Sequence, residues 1–528
     1  MFHTLSAFGG MQVAPHHLAA QAGRDILREG GNAVEAMVAA AATIAVVYPH
    51  MNAIGGDGFW LIREPGADPV AIAACGPAAR LASRDLYAGR TAIPERGPLA
   101  ALTVAGTVDG WRTALDIAGT WGRPLPLPRL LAEAIRHARD GFAVTTGQRG
   151  LVRGKFEALA QLPGFADTYL DGSRVLEVGE RLRLPQLADT LEALGQRGLR
   201  DFYEGRLAER IGDELERIGS PLRREDLADY RAAVVTPLEL QMRGARVFNL
   251  PPPTQGLATL MILGQFERLD VGAADGFEHV HGLVEATKHA FRARDRVVTD
   301  PRRLPADPQA LLDPGHLAAL ARQIDPLQAQ PWPDPPSQGD TIWMGAIDRE
   351  GRAVSFIQSV YWEFGSGVVL RDTGIGWQNR GIAFSLDPAA LNTLEPGRLP
   401  FHTLNPSMAL FDDGRVMPFG TMGGEGQPQT QAAVFSRYAL FGQPLQQAVT
   451  APRWLLGRTW GDSSTSLKLE ARVDPALAQA LRAAGHRVEV LGDPFSNTMG
   501  HAGALVRHRD GLIEGAADPR SDGIVAAV

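Results

Sequence analysis

The chain has a single cysteine, Cys75, so it cannot close an internal disulfide, and no spacing of cysteine and histidine matches a zinc site. Cys75 is expected to be a small buried apolar residue. An excess of basic charge is also missing, since 52 Lys and Arg stand against 59 Asp and Glu, giving a net charge of −7. A mildly acidic surface of this kind does not hold a phosphate backbone, and nucleic acid is excluded as an expected partner. The longest apolar stretch, 36-AMVAAAATIAVVYP-49, is shorter than the roughly 20 residues a bilayer requires. No membrane association is expected. The start, MFHTLSAFGGMQVAPHH, lacks a basic segment followed by an apolar core and a small-residue cleavage site, so the reading is cytoplasmic. The turn 54-IGGDGF-59 lacks the lysine and the glycine spacing of a phosphate loop and reads as a tight entry into a strand.

What is present is a long chain of 528 residues, 45% hydrophobic and 21% charged, able to bury a large core as one big domain or two or three ordinary ones. From about residue 15 to 330 the pattern is mainly helical. The run 17–47 has apolar residues at spacings of three and four, breaks at Gly30-Gly31, and restarts behind Asn32 as a cap. Further helical runs cover 126–142, 185–198 and 279–298. Beyond residue 341 the texture changes to short strands. Three hairpins are predicted, 341–348 with 352–361, 407–411 with 415–420, and 503–508 with 512–516, each turning on a glycine after a polar pair. The segment 331-PWPDPPSQGD-340, with four prolines, reads as a linker, because proline denies the backbone both helix and central strand.

Immediately after that linker stands Thr341, at the abrupt start of a strand. A threonine hydroxyl is a weak nucleophile until a nearby base takes its proton. Cutting the bond before Thr341 would free an α-amino group on the same residue, titrating at roughly 7.7 to 8.0 in a model peptide, and the threonine would carry its own base. Threonine is also an ordinary strand residue, so texture alone leaves both readings open. His281, Glu285 and His289 share one helix face at spacings of four, a pattern open to metal binding but read here as helix packing, with no metal or organic cofactor expected.

Separated motifs in a fixed order resolve the ambiguity. They are 30-GGNAVEAMVAA-40, 48-YPHMNAIGGDGFWLIR-63, 102-LTVAGTVDGW-111, 137-HARDGF-142, 250-LPPPTQG-256, 285-EATKHAFRARDR-296, 340-DTIWMGAIDREGRAVSF-356, 363-EFGSG-367, 420-GTMGGEG-426, 450-TAPRW-454 and 515-GAADPRS-521. With them the chain resembles the γ-glutamyltransferase family over nearly its whole length. The resemblance implies an α+β fold, the αββα sandwich of N-terminal nucleophile hydrolases. It also implies self-cleavage between Asp340 and Thr341, and amide cleavage through an acyl-enzyme on Thr341. Residues 1–340 would form a large chain and 341–528 a small one, the two staying associated and a homo-oligomer of the pair remaining open. Ser359 stands where the family has a hydroxyl close to the nucleophile, although an ordinary strand serine reads equally well. Gly423 and Gly424 match the glycine pair whose N–H groups face the developing oxyanion. Without that match they would read as a turn.

Departures from the family pattern bear on the substrate. Ala73 falls where the family places an arginine for the substrate α-carboxylate, and Ala383 where it places an acidic residue for the α-amino group. Tyr361 replaces an asparagine, and His402 and Thr403 replace paired serines. A γ-glutamyl donor would leave its charged groups without partners, at a cost of several kcal/mol. The large residues Trp343, Tyr361 and Trp362, with Arg380, His402 and Thr403, suggest instead a small site in which one guanidinium grips a planar carboxylate. A structural salt bridge is the alternative for Arg380. The tryptophan after the nucleophile and 377-WQNR-380 resemble the group within the family that hydrolyses oxamate, so a small carboxylate-bearing amide is the expected substrate. A γ-glutamyl hydrolase or transpeptidase with other anchors, and a non-catalytic homologue that never cleaves itself, are the competing readings.

Overall fold

Asn32 caps the helix Ala33–Val47 as its position predicts: its side-chain oxygen accepts from the N–H groups of Val34 and Glu35, and Glu35 returns a bond to the Asn32 N–H at 2.8 Å. Every residue of this helix is buried, which explains its apolar composition on all sides. The amphipathic helices Leu127–Asp140 and Pro185–Arg197 pack behind it in succession. The computed structural model describes residues 3–332, 340–457 and 464–528; the linker read in the sequence lies outside the described residues from 333 to 339.

Two seven-stranded sheets, antiparallel throughout, form the centre. The first runs in the order Ile524–Ala527, Gly10–Ala14, Asp340–Asp348, Ala353–Tyr361, Asp57–Arg63, Val70–Ala74 and Ala233–Val235. The second runs Leu5–Ala7, Ile513–Ala517, Ala502–Arg507, Val416–Thr421, Ser407–Phe411, Ala245–Asn249 and Leu238–Met242. All three predicted hairpins are present.

Side-chain alternation assigns the layers. Along Asp340–Asp348, Ile342, Met344 and Ala346 enter a core shared with the helices Ala33–Val47 and Leu127–Asp140, while Trp343 and Ile347 enter a core between the sheets. On the second sheet, Ala409, Met417, Phe419 and Ala504 face a third core, shared with the helices Gly256–Phe266, Phe277–Val297 and Gly426–Phe435. Helix, sheet, sheet and helix are thus stacked in that order, the αββα sandwich.

The division at the linker is not a division of the fold. Four strands of the first sheet and three of the second come from residues before 332, in the part read as mainly helical. Val70–Ala74 (VAIAA) is short and apolar throughout, so no period of two marks it, whereas Leu238–Met242 (LELQM) does alternate and was passed over. Among the described residues no helix is long and apolar enough to cross a membrane.

Candidate active site

Four neighbouring strands of the first sheet bring their ends together on the inter-sheet side. Trp343, Ile357 and Phe59 belong to the inter-sheet core, with Ala73 packed against it. Two residues further on, with the same facing, stand Thr341, Ser359, Asp57 and Cys75. Ser359 is directly opposite Asp57 in the register. Thr341 sits at an irregularity: Asp340 pairs with Tyr361 but Ile342 pairs with Gln358, so Thr341 faces two residues, Ser359 and Val360. Tyr361 emerges from this bulge with φ of 83°, a conformation that costs a non-glycine residue about 1 to 3 kcal/mol, and its N–H donates to Ser359 Oγ at 2.7 Å. All four residues of the row are buried.

The glycine turn comes from the second sheet. Gly423 and Gly424 follow the strand Val416–Thr421 with φ of 123° and 55°. A side chain on Gly423 would begin 3.3 Å from Gly500 Cα. Gln427, just past this turn, reaches Thr341, its Nε2 lying 3.4 Å from Oγ1. Two motifs of the first part brace the turn: Gln255 Nε2 donates to the Gly424 carbonyl at 2.8 Å, and Arg294 donates to Gln255 Oε1 at 3.0 Å and to Glu425 at 3.2 Å.

Each residue of 377-WQNR-380 has its own attachment. Trp377 Nε1 donates to the Thr103 carbonyl at 3.1 Å, Gln378 Nε2 to Asp57 Oδ1 at 3.2 Å, and Asn379 Nδ2 to the Glu95 carbonyl at 3.0 Å. Arg380 is buried with its guanidinium carbon 3.7 Å from the ring centre of Tyr361. Its Nη2 lies 3.5 Å from Thr403 Oγ1, and Nη1 has no hydrogen-bond partner among the described residues. Burial lowers its pKa to about 10, against Tyr361 and Asp57, which hold it up. His402 lies edge-on to Phe59, and neither ring nitrogen has a hydrogen-bond partner among the described residues. Burial, reinforced by Arg380, drives its pKa far below the ordinary histidine value and keeps the ring neutral.

Arg380, Tyr361, His402 and Thr403 therefore come together. Trp343 does not join them. It is packed between the sheets, where a Cβ on Gly420 or Gly503 would fall 2.2 Å or 2.6 Å from its ring, and its Nε1 donates to Ser355 Oγ at 2.9 Å. Its bulk fills the inter-sheet core, contrary to the pocket-wall role read from the sequence. Asp57, Gln255, Arg294 and Gln427 were missed by sequence reasoning, although three of them lie inside quoted motifs and the fourth directly follows one. Beyond Cys75 the same face opens into a cavity of about 440 Å³ lined by Ala73, Ala233, Val235 and Pro253. Burial raises the Cys75 pKa, so this thiol is not a ready thiolate.

The histidines of the Phe277–Val297 helix have a different arrangement from the one the spacing suggested. His281, Glu285 and His486 bring their ligand atoms within 4.8 Å of one another, whereas His289 bonds Gln265 and Gln330. His281 Nδ1 is 2.9 Å from His486 Nε2, and Glu285 already holds the Lys288 ammonium at 2.6 Å. With Gln330 N–H donating to Glu285, these bonds attach the chain just before residue 333 to the helix.

Behind the glycine turn, Arg453 donates to the carbonyls of Met499 and Gly500 at 3.0 and 2.9 Å and pairs with Asp518. Arg520 joins Asp518 to Glu470, and all four side chains are buried. Removing one member of such a group costs about 3 to 5 kcal/mol because its partner is left charged and buried. Arg453→Met is expected to lower the unfolding midpoint in urea markedly, and an unchanged midpoint would refute the assignment.

A buried threonine at the start of a sheet strand, inside an αββα sandwich, defines the fold class of N-terminal nucleophile hydrolases. The model of the gamma-glutamyltranspeptidase family matches residues 19–528, and the chain belongs to that family and is an enzyme. It is 58% identical over 518 residues to an oxamate amidohydrolase proenzyme of Klebsiella pneumoniae, covering 98% of each chain. It is 42% identical to the glutathione hydrolase-like YwrD proenzyme of Bacillus subtilis, again over 98% of each. Among solved structures, a cephalosporin acylase from Bacillus halodurans superposes with a TM-score of 0.91 at 34% identity, covering 100% of this chain and 97% of the other.

Proposed function

We propose that the chain is a precursor that cuts itself between Asp340 and Thr341 and then hydrolyses oxamate to oxalate and ammonia. In the first reaction the Thr341 hydroxyl attacks the Asp340 carbonyl, the acyl group moves from nitrogen to oxygen, and water hydrolyses the ester. Residues 1–340 and 341–528 separate as chains but share both sheets, which keeps them together. The new α-amino group is then within reach of the hydroxyl it must deprotonate.

In the second reaction Oγ1 of Thr341 attacks the carboxamide carbon of oxamate and its proton passes to the α-amine. The N–H groups of Gly423 and Gly424 face the oxyanion, a contribution on the order of 3 kcal/mol per donor. Collapse breaks the C–N bond, the amine returns the proton to the departing nitrogen, and ammonia leaves. Water then attacks the oxalyl ester, restoring the hydroxyl and releasing oxalate. Ser359, between Thr341 and Asp57, orients the amine.

The observation that carries the substrate assignment is Arg380. Its guanidinium is buried, stacked on Tyr361 directly across from Asp340, and its Nη1 has no partner among the described residues. Burying that charge is unfavourable until an anion arrives. His402 and Thr403 flank it, while Ala73 and Ala383 offer no anchor to an amino-acid head group. The relative acting on oxamate supports the same choice. Ammonia release from oxamate, compared with nitroaniline release from a γ-glutamyl nitroanilide, tests it: kcat/KM for oxamate is expected to be at least a hundredfold higher, and the reverse preference would discard the substrate.

A further inference from the structure

The mechanism above leaves one buried acid in the row without a task. Asp57 is fully buried, and its Oδ1 accepts from three donors: the Gly106 N–H at 3.0 Å, Gln378 Nε2 at 3.2 Å and the Gly76 N–H at 3.3 Å. Those bonds fix the carboxyl plane. Its second oxygen, Oδ2, has no hydrogen-bond partner among the described residues, and His402 Nε2 stands 3.5 Å from it outside hydrogen-bonding geometry. Asp57 Oδ2 and His402 Nε2 therefore lie close together with unmet capacity, and the charge of Arg380, whose Nη1 also lacks a partner among the described residues, acts on both. A structural pin would need only the oxygen already engaged. The other one lies beside His402, within the field of the Arg380 charge.

Charge decides what Asp57 does there. The site holds one guanidinium, one neutral imidazole and one carboxyl. If Asp57 is ionised, an incoming carboxylate makes a buried excess of one negative charge, which is strongly unfavourable in a low-dielectric site. If Asp57 carries a proton on Oδ2, the same carboxylate exactly balances Arg380 and also gains a donor. We propose that Asp57 is a specificity-determining residue that binds the substrate carboxylate in its protonated form, so that a small monoanionic amide is taken up together with one proton. This rests on the oxamate reading and adds the residue that selects a single negative charge.

The electrostatic surroundings agree with that role. Burial pushes Asp57 up to about 7, with Arg380, Gln378 and the two glycine N–H groups pulling the other way. The titratable groups facing it are Arg380, His402, Cys75, Tyr203 and Tyr230. His402 is neutral, and burial raises the pKa of Cys75 and of both tyrosines, so Asp57 is the group among them that changes charge near neutrality. Its proton is present below about pH 7 and lost above it. Carboxylate binding should therefore be constant at low pH and weaken as pH rises.

The test uses the mature wild-type enzyme and Asp57→Asn, whose amide keeps an acceptor toward the three donors and presents a permanent donor at the Oδ2 position. Competitive inhibition by propanoate, a small carboxylate with no amide to cleave, reads carboxylate binding apart from chemistry. The wild-type inhibition constant is expected to be flat from about pH 5.5 to 7, where propanoate itself stays ionised, and to rise about tenfold per pH unit above pH 7. In Asp57→Asn it should stay within a few-fold of the low-pH wild-type value at every pH. A flat wild-type profile overturns the proposal even if the variant fails to fold. So does an Asp57→Asn profile that still rises with pH, since the proton would then belong to another group such as the Thr341 amine. A hundredfold weakening in the variant at all pH values also overturns it, because Asp57 would then act as an anion. Wild-type enzyme that releases no ammonia from oxamate discards the substrate reading instead.

Discussion

Thr341→Ala yields a single uncut chain of 528 residues that releases no ammonia from oxamate. Both losses follow from one atom, because in the proposed mechanism the same Oγ1 attacks the Asp340 carbonyl in processing and the carboxamide in turnover. Loss of a nucleophile with its base typically lowers kcat by about 10⁴-fold or more, and the intact peptide bond also withholds the α-amine. Folding should be spared: the side chain is small, and the strand it begins is held by nine residues of hairpin and by Gly10–Ala14 on its other edge. A denaturing gel and an ammonia assay read the two outcomes. Thr341→Ser, which keeps a hydroxyl, should retain processing and part of the turnover. Cleavage that proceeds unchanged in Thr341→Ala would remove the nucleophile assignment.

The second large effect is expected at Arg380. Arg380→Met keeps much of the stem that packs near Tyr361 but removes the charge, and it should lower kcat/KM for oxamate on the order of 10²- to 10³-fold, chiefly through KM. Self-cleavage should continue, because Asp340 and Thr341 do not use the guanidinium. Arg380→Lys is expected to recover only part of the loss, since a point charge lacks the planar fork that grips two carboxylate oxygens. Were Arg380 only a structural ion pair, the substitution would shift the unfolding midpoint and leave KM alone. The geometry argues against that, because its contacts are an aromatic face and a hydroxyl at 3.5 Å, with Asp57 drawn to it only at a distance.

Local signals in the sequence carried much of this architecture. Helix caps, turn glycines and the run of strand-forming residues after Thr341 act over a few residues, and Asn32, the three hairpins and the abrupt strand at Thr341 were legible for that reason. Other strands of the first part were not: Gly10–Ala14 is buried along its whole length, so it has no alternation to read, and it pairs with residues 345–348 and 524–527, far away in the chain. Val70–Ala74 forms a hairpin with Asp57–Arg63 across residues 64–69, but its other neighbour, Ala233–Val235, is far away in the chain and nothing near Val70 announces it.

The site divided in the same way. Thr341, Ser359, Gly423 and Gly424 could be proposed by resemblance, and Arg380, His402 and Thr403 by departure from it. Trp343 was misjudged because residue size says nothing about direction: the glycines that receive it, Gly420 and Gly503, lie on two strands of the opposite sheet. Asp57 was passed over as part of a glycine-rich turn. Only the register that sets it opposite Ser359, and the fold that buries it beside Arg380, give it chemistry.

The central claim is that Thr341 becomes the first residue of a new chain and thereby acquires its own base. Intact-mass and N-terminal sequencing of purified, fully active enzyme test it most directly. The expected result is two polypeptides, one ending at Asp340 and the other beginning with Thr341-Ile342-Trp343. Full activity in a protein whose second chain begins elsewhere, or whose chain is uncut, would contradict it.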